Sequence, residues 1–99
     1  MLDEIKKRCY ILTNIYDSEI TSLISAGIID CVESGVDKGV FEKKNDGTYD
    51  DQSLNCITAY VKANRGNDRS DTDAYTKMYE SIRDKMTQES TYNGGTTSE

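Results

Sequence analysis

Histidine, proline and tryptophan are absent from this chain of 99 residues, phenylalanine occurs once and cysteine three times. Without histidine the side chain best suited to general acid–base work near neutral pH is missing, and no activating partner stands near any cysteine, so the inventory predicts no enzyme and no catalytic residue. Cys9, Cys31 and Cys56 lie far apart, with no Cys-x-x-Cys spacing. A zinc site would have to recruit Asp or Glu, and buried free thiols in a reducing compartment are the better reading. No calcium loop fits either. With Gly47 as the sixth loop position, Lys44 takes a ligand place and Ser53 stands where the bidentate glutamate belongs. No metal and no cofactor are expected. The absence of proline means that no helix is forced to kink. No apolar run approaches the roughly 18 residues that a membrane span needs, and the first dozen positions lack a secretory signal, so a soluble protein assembled in the cytoplasm is expected, with no membrane partner.

Positive charge is also short. Twelve Lys and Arg against 18 Asp and Glu leave a net charge of −6, the wrong sign for a protein that grips phosphates. The sole basic triplet, Lys6-Lys7-Arg8, is either a contact for phosphate or an acidic partner or a solvated helix face.

Only 35% of the residues are apolar, enough for one modest core. Residues 1–88 are expected to form a single helical domain, and 89–99 a flexible tail without periodicity. So small a core gains from burial against neighbouring subunits.

What the chain does have is helical spacing. Leu2, Ile5, Cys9 and Leu12 predict a first helix from Leu2 to about Ile11. Asn14 and Asp17 suggest a cap for a second, from about Ile15 to Ser34, carrying Tyr16, Ile20, Leu23, Ile24, Gly27, Ile28, Cys31 and Val32 on one face. Gly27 implies close approach of another helix, and Gly35 a stop. From Val36 to Asp50 the periodicity fails. The segment is expected as an extended loop or a weak hairpin, since the turn signal Asn45-Asp46-Gly47 would let Val40-Phe41 pair with Thr48-Tyr49, with Phe41 as an apolar tip able to dock on a neighbouring subunit.

A third helix opens at Asp50 or Asp51, whose carboxylates accept free amide protons. Leu54, Ile57, Val61 and Asn64 carry it to Gly66. Ser70 and Asp73 form a capping box for a fourth, reaching about Thr87 with Tyr75, Met78, Tyr79, Ile82 and Met86 on one face. The fold class is therefore all-α, a small bundle of about four helices. The acidic pairs Asp50-Asp51 and Asp71-Asp73 stand at helix starts, where capping explains them.

The order Ile57-x-x-Tyr60-Val61-Lys62-Ala63-Asn64-x-Gly66, followed by Tyr75-x-x-x-Tyr79-Glu80-Ser81-Ile82, resembles the head–tail connector proteins of long-tailed bacteriophages, also called adaptor, head-completion or DNA-packaging proteins. The likeness extends to the opening of the second helix from Tyr16 to Ile24 and to Gly35-Val36. It departs at Lys38–Tyr49, longer than the family's short acidic linker. The resemblance implies a structural virion protein at the head–tail interface, docked on the portal as a homo-oligomeric ring of about a dozen copies. It further implies a next head-completion or tail protein, the stopper, as partner, with DNA passing through the channel without specific binding. Tyr60, Tyr75 and Tyr79 are then either core or subunit interface, and Lys62 and Arg65 candidates for pairing with an adjacent subunit. Tyr92 and Asn93 in the tail are candidates for binding the portal. The competing reading is a small acidic interaction module or regulator unrelated to virions, binding one partner through its fourth helix. A DNA-binding helical protein using the basic triplet is disfavoured by the overall acidity.

Overall fold

The computed structural model describes residues 1–65 and 69–97, with side chains in the second stretch from 70 to 90. Its elements are helix α1 (Leu2–Arg8), helix α2 (Asp17–Glu33), a 3₁₀ turn (Lys38–Phe41), helix α3 (Asp51–Arg65) and helix α4 (Arg69–Thr97), with no strand among the described residues. The all-α bundle is as the spacing predicts. α3 packs most extensively on α4, then on α2, and α1 touches both α2 and α3.

α1 stops three residues short of Ile11 because the chain turns left-handed at Tyr10, at φ 58°. Tyr10 N–H bonds the Lys7 carbonyl (3.2 Å) and Ile11 N–H that of Lys6 (2.9 Å), the paired bonds of a Schellman stop with tyrosine where glycine is usual. Leu12, expected on the buried stripe, is consequently 98% exposed. α2 begins at Asp17 behind Tyr16, not behind an Asn14 cap. The Asn14 carboxamide oxygen is occupied by the Lys6 ammonium at 2.8 Å. At its other end α2 stops at Gly35 (φ 111°) with the same pair of bonds, Gly35 to Val32 and Val36 to Cys31.

Gly27 is where α2 crosses α3. A Cβ there would stand 3.0 Å from Tyr60 Cδ1 and 3.2 Å from Ile57 Cδ1, so the helices meet closely because the side chain is missing. Ile5, Ile20, Cys31, Cys56, Ile57 and Val61 have no exposed surface and make the centre of the core.

Of the two forms expected between α2 and α3, extended loop or weak hairpin, the chain takes the loop, with no strand pairing among the described residues. The turn at Asn45-Asp46-Gly47 forms: Gly47 N–H reaches the Lys44 carbonyl at 2.9 Å, and Lys44 N–H that of Thr48 at 2.7 Å. Val40 and Phe41, however, coil into the 3₁₀ turn, where the Asp37 carboxylate accepts from Gly39 N–H at 3.2 Å. The Val40 carbonyl, which a hairpin would need, accepts instead from the Ser53 hydroxyl at 2.7 Å. Phe41 is only 6% exposed, packed in the chain's own core rather than held out at a tip.

α3 opens as predicted, with the Asp50 carboxylate accepting from Ser53 N–H at 3.0 Å. The expected stop at Gly66 lies outside the described residues. α4 opens at Arg69, which places Ser70 inside the helix, and runs 29 residues, well past the expected end at Thr87. Part of the reason is visible at Ser90, whose hydroxyl accepts from Asp37 N–H at 2.9 Å and ties the turn after α2 to this region of α4. The backbone of residues 89–97, expected as tail, is helical. Met78, expected inward, is 49% exposed. The seam is formed by Tyr75, Tyr79, Ile82 and Met86, and Met78 falls beside it.

Candidate interaction surfaces

Four surfaces or clusters carry chemistry. The first joins α2, α3 and α4. Tyr79, 5% exposed, donates its hydroxyl to the Asp30 carboxylate, which also pairs with Arg83 Nη1 at 3.2 Å. Behind them the Cys31 sulfur lies 3.4 Å from the Tyr79 hydroxyl and 3.7 Å from the Cys56 sulfur. Burial and the bond to Asp30 push the Tyr79 hydroxyl well up from its ordinary value of 10. The contact between the two thiols, with burial, pushes Cys56 up from 9 and moves Cys31 down. Tyr79 and Cys56 therefore hold their protons, and the cluster acts as an interhelix clasp of satisfied polar groups. Asp30 and Arg83 were not singled out by the sequence reading, because 53 positions separate them and nothing local links them.

Of the residues expected at a subunit interface, most work inside the chain. Tyr60 packs edge-to-face on Tyr79, with ring centroids 5.1 Å apart. The Lys62 ammonium sits 5.3 Å over the half-buried Tyr75 ring. Arg65 bonds Glu19 of its own chain at 3.4 Å and lies 5.0 Å over the Tyr16 ring. Phe41 is in the core. Tyr92 and Asn93 lie on α4 by their backbone, and their side chains are outside the described residues.

The second surface is one the sequence reading missed. Tyr10 (86% exposed), Leu12 (98%) and Ile15 (80%) stand out from the α1–α2 connection, with Tyr16 partly exposed beside them. Their helical spacing assigned Leu12 and Tyr16 to buried stripes; the Thr13-Asn14 break was the signal that the stripe had ended. The connection is braced: Lys6 bridges Asn14 and Asp17 (2.8 Å to each), and Ile15 N–H donates to the Thr13 hydroxyl. An isolated exposed leucine is ordinary, but several large apolar groups exposed within one short connection are uncommon on a protein with this small an apolar content.

The outward face of α2 is the third: Ser22, Ser25, Ala26, Ile29 and Val32 are exposed, with the charged Glu33 at the C-terminal end of the face. A fourth is an open cleft of about 670 Å³ between the 3₁₀ turn, the start of α3 and α4. Its floor includes Val40 and Met86, and its rim carries Asp37, Glu42, Asp50 and Glu89 against one cation, Lys44. The basic triplet, by contrast, offers little: Lys6 is paired with Asp17, and Arg8 with Asp51 at 3.4 Å and with Asn55, leaving Lys7 exposed.

No helix among the described residues is long and apolar enough to cross a membrane, and no group of candidate metal ligands occurs among them. Neither a curated protein nor a solved structure matches the chain. A family model does, that of the phage connector protein, over residues 1–93. A match spanning nearly the whole helical bundle leaves one conclusion, that this chain belongs to the phage connector protein family.

Proposed function

We propose that this connector protein is a non-catalytic ring subunit of the virion, assembled in the host cytoplasm and docked on the portal to complete the DNA-filled head. About a dozen copies would extend the DNA channel toward the tail and present a lower rim to the stopper. The observation that carries the reading is family membership over residues 1–93. It is supported by exposed apolar and uncharged surface on a chain too polar to have much to spare. The helices supply geometry and contact surface. The net charge of −6 per copy, repeated around a ring, keeps phosphates from adhering to the wall, since like charges resist approach within a Debye length of about 10 Å. DNA then slides rather than binds. With Lys6 and Arg8 engaged by carboxylates of the same chain, the structure favours this over a DNA grip through the triplet.

The test is to mix the purified protein with the portal encoded in the same genome and image the mixture by negative-stain electron microscopy. A closed ring on the portal's narrow end is expected. Bare portals with dispersed protein would reject the reading and leave the one-partner interaction module in its place.

A further inference from the structure

The exposed α1–α2 connection and the acidic cleft are complementary, and they lie beyond opposite ends of α2. Residues 10–16 precede its first turn, while the cleft takes Gly35 and Asp37 just after its last. Seventeen helical residues separate them by about 25 Å at 1.5 Å per residue. One copy therefore cannot readily fill its own cleft with its own connection. We propose that the Tyr10–Ile15 segment of one copy seats in the acidic cleft of the next, a head-to-tail contact between copies of this chain.

Charge chooses the occupant. From Lys6 to Tyr16 the chain carries no acidic residue, and although Lys6 and Arg8 are engaged by Asp17 and Asp51, Lys7 is exposed with no ion-pair partner among the described residues, so the segment presents one free positive charge beside an uncharged apolar knob. The cleft offers the opposite pattern, four carboxylates to one ammonium, with Glu42 and Glu89 exposed and unpaired among the described residues. Size agrees: about 670 Å³ falls within the 300–1,000 Å³ range of pockets that enclose drug-sized ligands. It has room for the side chains of Tyr10 and Leu12 together over the floor of Val40 and Met86. Shape is prepared in advance, because Lys6 fixes the connection through Asn14 and Asp17, so little ordering remains to be done on contact. Tyr10 adds an independent sign. It holds a left-handed backbone that its bulky side chain disfavours, and 86% exposure means that little packing within its own chain compensates. Seating that ring in a neighbour would supply the compensation.

A knob and a cleft on different surfaces make a heterologous contact, the kind that closes into rings or runs on as filaments. The proposal thus rests on the ring reading and specifies its lateral joint.

Two variants test it: Leu12→Asp in the connection, and Glu42→Lys with Glu89→Lys in the cleft. All three positions are exposed, and circular dichroism checks that each variant keeps the helix content of the wild type. Each variant alone should lose association between copies by at least about a hundredfold in sedimentation velocity, and should form no ring on the portal. Mixed together, they retain one intact knob and one intact cleft, and should give a one-to-one dimer that grows no further. That dimer, observed beside portals that remain bare with wild-type protein, would support the joint while sinking the portal reading. Leu12→Asp rings indistinguishable from wild type would overturn the joint and leave the portal reading standing. If Leu12→Asp copies ring among themselves but fail to dock, the segment belongs to the portal and the proposal falls. It falls equally if neither the mixture nor the wild type associates.

Discussion

Two residues end two helices in the same way, and only one is suited to the task. Gly35 and Tyr10 both stop a helix with positive φ and paired Schellman bonds. Glycine takes that conformation freely, whereas an L side chain there costs about 1 kcal/mol or more. Tyr10→Gly should therefore stabilise the isolated chain by about 1 kcal/mol, although it deletes a large side chain. Gly35→Ala should destabilise by a similar amount or more, since its new Cβ would also stand 3.1 Å from Thr87 Cγ2. Midpoints of urea unfolding followed by circular dichroism decide both, and a Tyr10→Gly midpoint below wild type would contradict the strain assigned to this residue. Residue chemistry also marks what could be read in advance. Asp50 as a cap, Gly27 as a close approach and Gly35 as a stop were legible because each is a local rule with a local cause. Tyr10 as a stop was not, because nothing in its own chemistry favours a left-handed backbone. Phe41 was misplaced because its neighbour's carbonyl is claimed by Ser53, 13 positions away.

At the scale of elements, α2 and α4 are clasped through a hydroxyl that must remain protonated. The Tyr79 value is raised in the folded chain above the ordinary 10 by burial and the bond to Asp30, whereas the touching thiols split, Cys56 upward and Cys31 downward from 9, and so offset one another. A raised value means the folded state holds the proton more tightly. The stability associated with Tyr79 is fully present below its ordinary value and is lost as pH climbs beyond it, by up to about 1.4 kcal/mol per pH unit. Stability should therefore fall above about pH 10. Tyr79→Phe should cost about 1–2 kcal/mol near neutrality, as Asp30 loses a donor, and should flatten the decline above pH 10. Unfolding free energies between pH 7 and 11 provide the check, and an unchanged slope would remove Tyr79 as its source. The four-helix order was legible from periodicity, whereas helix ends were legible only where capping was local. α4 outran its expected end as tertiary support at Ser90 prevailed over the weak propensity of the sequence beyond Thr87.

For the whole molecule the surface was less legible than the interior, because spacing shows which residues can share a face and not which face finds a partner. Leu12 and Met78 were assigned inward by periodicity, but the left-handed turn at Tyr10 carries Leu12 off the first helix and Met78 falls beside the α4 seam, so both are exposed. Net charge acts at the same scale. Duplex DNA should bind the isolated protein more weakly than about 10⁻⁴ M at physiological salt. Tighter, strongly salt-sensitive binding in a fluorescence anisotropy titration would argue against a repelling channel wall. The buried thiol pair has a consequence of another kind. Cys31 and Cys56 have no exposed surface, whereas Cys9 is only half-buried. A thiol reagent added to the native protein should modify Cys9 first and reach the other two only when the bundle opens around them, so their labelling rate is a built-in clock for breathing of the bundle.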